Sequence, residues 1–183
     1  MLTDRATRII LRLLTGRLTD HMAEPMTVQE VLDQLRSTPL RLRELTAGVL
    51  PEVLRTAPGP DAWSANDVLA HLRACSDRWG EAATRIVEED SPRLRGTEPR
   101  VWITKTNYLD LEFTPSLRAF VRQRKALLAV LDPLQPADWR RTGTLVGAGK
   151  HVSRTVHLYA ERLARHERSH VKQVSRTLAT LAC

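Results

Sequence analysis

Cysteine is scarce in this chain of 183 residues: only Cys75 and Cys183 occur, which rules out a disulfide framework and suits a reducing compartment. Aromatic residues make up 4% of the sequence, and no apolar run approaches the roughly 20 residues needed to cross a bilayer. A soluble, cytoplasmic protein without a transmembrane segment is expected. Also missing are any internal repeat, phosphate-loop motif, low-complexity tract, zinc-finger spacing or aromatic RNA-binding signature. The formal charge is +7 and the pI about 10.2, but the basic residues, mostly Arg, are scattered among acids along helical patterns. Solvated helix faces account for such a distribution, and a nucleic-acid partner is not expected.

Leu, Ala and Arg dominate what remains, and the length suits one domain with a sizeable core, so an all-α fold is expected. Residues 1–25 stand apart. Leu2, Ile9, Ile10, Leu13 and Leu14 alternate with Arg5, Arg8, Arg12 and Arg17 in an amphipathic manner. The stretch lacks the apolar centre and small-residue cleavage site of a secretory signal, and Asp4 sits poorly in an organellar one. It is taken as an extra N-terminal helix outside a core domain of residues 26–183, with Met26 a candidate alternative start.

Four helices are expected in that domain. Thr27 and Glu30 form a capping box before the stripe Val28, Val31, Leu32, Leu35, Leu42, Leu45 and Val49, in which Pro39 marks a kink or a break. A Pro- and Gly-containing loop from Thr56 to Ala62 precedes Ser64, which caps a second helix running to about Glu89. Asp67 favours its first turn, and Trp63 staples onto Val68. The inner stripe of this helix holds Val68, Leu72, Cys75, Trp79, Ala82 and Ile86, with His71 among them. Ser91 to Asp110 reads as a long surface connection packing aromatics over the bundle. Thr114-Pro115 opens a third helix that ends at Pro133. Thr142 to Lys150, with three glycines, reads as a flexible turn before a last helix capped near Ser153 or Thr155.

That last helix carries His166-Glu167-Arg168-Ser169-His170. Two histidines four apart share one helix face and can reach one metal ion, and Val156, Tyr159, Leu163, Val174 and Leu178 place that face inward. A buried histidine hydrogen-bonded to a carbonyl is the bland alternative. The zinc-peptidase version of the motif needs a further ligand downstream, and Val171 to Cys183 contain no His, Asp or Glu. A third ligand must therefore come from upstream. His157 falls on the opposite side of the helix, His151 would lie roughly 22 Å along the axis from His166, and His21 precedes the bundle. His71 remains, inward-facing on another helix, so His71, His166 and His170 can meet in a bundle core. Three neutral imidazoles would leave a divalent ion with an open position. Tyr159, Glu167 and Gln173 are near enough to support the ligands, although a surface ion pair with Arg is the role expected of Glu167.

Trp63-Ser64 followed by His71-Leu72, the Gly-rich turn with Thr155 opening the last helix, and the run His166 to Gln173 resemble the DinB-like superfamily over roughly Met26 to the C-terminus. The resemblance implies an up-down-down-up four-helix bundle with a metal, often zinc or nickel, on His71, His166 and His170. Similar proteins include transferases using low-molecular-weight thiols such as bacillithiol or mycothiol, mycothiol-dependent maleylpyruvate isomerases, and metal-dependent hydrolases. The preference for Arg over Lys suggests a GC-rich bacterial genome, and related bundles commonly form homodimers. The implied function is a metal-dependent enzyme that activates such a thiol or water for transfer to, or hydrolysis of, a small-molecule substrate. The alternative is a non-catalytic bundle that the metal stabilises or that binds a ligand without turnover.

Overall fold

A computed structural model describes residues 24–96, 99–147 and 150–182, so the N-terminal helix expected within residues 1–25, and His21, lie outside the described residues. The frame is all-α, an up-down-down-up bundle of four rods. Its first rod, α1 (Val28–Leu45), opens on the expected capping box: the Thr27 hydroxyl accepts from the Glu30 N–H at 3.2 Å, and the Glu30 carboxylate accepts from the Thr27 N–H at 2.7 Å. Pro39 lies inside α1 without ending it. Its ring is buried beside Leu35 and Leu42, so packing offsets the backbone hydrogen bond that proline cannot make.

A short helix, α2 (Pro51–Arg55), leads into the expected loop and then the second rod. That rod comprises α3 (Ala65–Cys75), a single π-helical turn (Ser76–Gly80) and α4 (Glu81–Glu88), ending within a residue of the expected Glu89. Ser64 and Asp67 cap it reciprocally, with the Asp67 N–H donating to Ser64 Oγ at 3.1 Å. Every residue of α3 is buried, because a third layer covers the side that a lone bundle would leave open. That layer is the connection between β1 (Arg93–Arg95) and the third rod, and it includes a short helix α5 (Pro99–Trp102). It is more than the surface connection expected from the sequence: Ile103 is 1% exposed and packs on Ala70 and Ala74 with Trp102 and Tyr108 around it. Asp77, in the π turn, ties it down by accepting from Trp102 Nε1–H at 3.0 Å, from the Tyr108 hydroxyl at 2.8 Å and from the Gln123 amide.

The third rod, α6 (Phe113–Leu131), begins at Phe113 with Glu112 at the cap position, two residues earlier than Thr114-Pro115 suggests. A proline is tolerated anywhere in the first helical turn, so its position marks the start only loosely. The stretch expected to be a flexible turn is instead a hairpin, β2 (Thr142–Gly147) against β3 (Lys150–Thr155), with β1 parallel on the other edge of β2. Gly143 permits the sheet to close on the bundle, since a Cβ there would stand 3.0 Å from Ile86 Cγ1 and 3.1 Å from the Pro92 carbonyl oxygen. The fourth rod, α7 (Val156–Leu181), is capped by Thr155, whose hydroxyl accepts from the Leu158 N–H at 3.0 Å. Both α1 and α3 pack chiefly against α6 and α7, so the first rod lies diagonal to the second and the third to the fourth, and the second and fourth are neighbours. No helix among the described residues is long and apolar enough to cross a membrane.

Candidate metal centre

Rods two and four face each other along two i, i+4 pairs. On α3, His71 is followed one turn later by Cys75, and both are buried, at 4% and 0% exposure. On α7, His166 is followed one turn later by His170, and both are half-buried. The reciprocal cap at Ser64 fixes where α3 starts and therefore which of its residues turn toward α7.

The rings converge. His166 Nε2 lies 3.1 Å from His71 Nε2 and 3.1 Å from His170 Nε2, and Cys75 Sγ lies 3.6 Å from His71 Nε2. Ring centroids of the three histidines are 4.4 to 5.0 Å apart. Gln173 sets the tautomer of one of them: His170 Nδ1 donates to Gln173 Oε1 at 2.7 Å, which leaves His170 Nε2 as a lone pair aimed at the cluster. An imidazole nitrogen carries either one proton or one lone pair, so His166 Nε2 cannot complete two linear hydrogen bonds to two neighbours at once. A cation shared by the lone pairs resolves that crowding. Donor atoms of His71, Cys75 and His166 all lie within 4.8 Å of one another, which gives a second set able to hold an ion.

Two tryptophans wall the cluster. Trp63 stacks parallel to His170 with centroids 5.8 Å apart and meets His71 edge-on at 5.2 Å; Trp79 meets His166 edge-on at 5.1 Å. Indoles on both flanks keep water out and hold the rings in place.

A family model described as the DinB superfamily matches residues 34–174. The chain belongs to the DinB superfamily. GK0616 of Geobacillus kaustophilus (strain HTA426), inferred to be a metal-dependent hydrolase, is 26% identical to this DinB-superfamily chain over 154 residues, covering 81% of this chain and 82% of that protein. YfiT from Bacillus subtilis, inferred to be a metal-dependent hydrolase with an unusual four-helix bundle topology, superposes with a TM-score of 0.64 at 15% identity, over 90% of this chain and 94% of that one. At that identity YfiT speaks for the fold alone.

In this DinB-superfamily bundle the remaining candidates separate. His157 points away from the cluster, with its Nε2 2.8 Å from the Met26 carbonyl oxygen, and His151 is exposed on β3. Tyr159 lies two turns before His166 and lines a neighbouring pocket with Trp79 and Arg162. Glu167 is a correction. The sequence suggested a surface ion pair, but Glu167 is fully buried and paired with Arg124, itself 2% exposed. Burial pushes the Glu167 carboxyl up, against the pull of the Arg124 guanidinium. One hundred degrees of helix rotation carries it off the face of His166 and His170 and into the core between rods. Cys75 was read only as a core residue. Its signal was present, because His71 and Cys75 repeat the four-residue spacing of His166 and His170 with two residue types that bind metals.

Proposed function

We propose that this chain is a metal-dependent enzyme in which His71, His166 and His170 hold a divalent ion, zinc or nickel, and that it acts on a small molecule. The observation that carries this is the meeting of three Nε2 atoms at 3.1 Å spacings from two rods. Two imidazoles on one tetrahedral zinc, each at roughly 2.0–2.1 Å, stand about 3.3 Å apart, so the observed spacing suits a common ion. Bound there, a divalent ion supplies Lewis acidity, which makes a nucleophile of water or of a low-molecular-weight thiol at neutral pH. Gln173 orients His170, Trp63 and Trp79 exclude bulk water on two sides, and the half-buried α7 side leaves access for a substrate. Names given to the relatives favour water and hydrolysis, and a screen of thiol cosubstrates against ester and amide substrates separates the two nucleophiles.

Cys75 supports a second reading. Three histidines and a thiolate would close a four-donor shell, and closed shells staple folds instead of catalysing reactions. Metal analysis of the purified protein beside His71→Ala, His170→Ala and Cys75→Ala decides between them. The enzyme reading expects about one equivalent of metal in wild type and Cys75→Ala, and little in either histidine variant, all four remaining folded by circular dichroism. Equal metal in wild type and His170→Ala would end the three-histidine site. Metal lost from Cys75→Ala, with unfolding on addition of chelator, would favour the staple.

A further inference from the structure

A small pocket lies beside the histidine cluster, with Trp79 common to the surroundings of both. It is lined by residues of rod two and the π turn (Arg78, Trp79, Glu81, Arg85), of the sheet (Arg95, Leu145) and of α7 (Tyr159, Arg162). Four arginines and one glutamate line it. Arg78 is paired with that glutamate, Glu81, at 2.8 Å, and Arg85 with Glu89 at 2.5 Å. Arg95 and Arg162 have no acidic partner among the described residues. Arg162 lies one turn before His166 on the same face of α7, and its guanidinium sits over the Trp79 ring, 4.3 Å from the centroid. The same indole meets His166 edge-on, with ring centroids 5.1 Å apart. Trp79 therefore touches both the pocket's Arg162 and the histidine cluster.

We infer that this pocket receives the anionic end, a carboxylate or a phosphate, of the small molecule on which the histidine site acts. The inference rests on the metal-enzyme reading above, and it adds the substrate class: a small molecule whose reacting group carries an oxyanion beside it, with Trp79 touching both sites. Size is compatible, since about 70 Å³ holds a few water molecules, or one carboxylate or phosphate group. Chemistry supports it. A guanidinium offers a planar fork of N–H donors that matches the oxygens of both groups, and stacking on Trp79 holds Arg162 in place at little entropic cost. The Tyr159 phenol is pushed above its ordinary range by burial, so at neutral pH it remains a neutral hydroxyl able to donate a further hydrogen bond.

The test is a protein-observed NMR titration of the metal-loaded chain with inorganic phosphate and, separately, with succinate, at constant ionic strength against a chloride control. The Trp79 indole signal is assigned with Trp79→Phe. Saturable movement of that signal is expected with phosphate, with succinate or with both, and the stronger binder tells which oxyanion the pocket prefers. Arg162→Gln and Arg95→Gln should each weaken binding about tenfold or more, the scale of a charge-assisted hydrogen bond lost. His170→Ala, or chelated wild type if that variant unfolds, should bind within about twofold of wild type, because the two sites share no donor atom. No saturable movement in wild type that carries its metal would overturn the pocket and leave the metal reading standing. Binding lost with the metal but unchanged in Arg162→Gln and Arg95→Gln would also overturn it, by locating the anion on the ion. Binding through the arginines in a wild type that takes up no metal would support the pocket and remove the metal reading.

Discussion

Two pairs of chain neighbours on facing rods divide in the same way. Cys75 and His166 turn to the histidine cluster, while Ser76 and Glu167, each the next residue along, turn to Arg124. About 100° of helix rotation separates one environment from the other. In the first, imidazole nitrogens and a thiol crowd together in a set that could hold a cation from outside the chain. In the second, a buried carboxylate meets a buried guanidinium, and the charge is answered from within. Polar burial thus has two meanings in one core. Where the chain supplies both signs it makes structure, and where it supplies only candidate ligands it would make a binding site.

The largest effect expected from breaking this division is on the Arg124 side. Glu167→Ala leaves the guanidinium buried without its countercharge and should lower unfolding stability by about 3–5 kcal/mol in urea denaturation. Replacing the pair together, Arg124→Met with Glu167→Leu, should restore most of that loss and retain metal. A Glu167→Ala protein within about 1 kcal/mol of wild type would mean that the pair does not hold the core closed.

Much of this division was legible in the sequence, but unevenly. Rod boundaries at Thr27, Ser64 and Thr155 could be read because capping chemistry is local. His71, His166 and His170 could be brought together because helical periodicity fixes which residues share a face. Glu167 was misplaced by the same reasoning, since a glutamate beside arginines in sequence gives no hint that Arg124, 43 residues away, waits in the core. The hairpin was missed because glycines at 143 and 147 look like a loop until the register of β2 against β3 is known. The π turn has no sequence signature either; it follows from tertiary packing around Asp77.

On the cluster side a subtler change should sharpen the comparison. Gln173→Ala removes the acceptor that fixes the His170 tautomer, 2.7 Å away, without touching the three Nε2 atoms. Loss of such an orienting partner typically weakens metal binding ten- to a hundredfold. Competition with a chelator of known affinity measures it, and urea denaturation of the metal-free protein should hardly change. Unaltered metal affinity in Gln173→Ala would leave the orientation of His170 to Trp63 alone.

The smallest effect is expected at Ser76, where the two environments come closest along the chain. Its hydroxyl accepts from Arg124 Nη2 at 3.4 Å, the long end of the hydrogen-bond range, while the neighbouring Cys75 Sγ lies 3.6 Å from His71 Nε2. Ser76→Ala removes that weak bond but leaves Arg124 its carboxylate, and alanine regains a few tenths of a kcal/mol of helix propensity. A net loss of about 1 kcal/mol or less follows in urea denaturation, with unchanged metal affinity by chelator competition. A loss of metal affinity beyond about tenfold in Ser76→Ala would show that the π turn transmits strain from Arg124 to His71, because Ser76 itself offers no atom to the cluster. The two environments would then be one coupled unit, and the stability of the ion pair would set how tightly the histidines hold their ion.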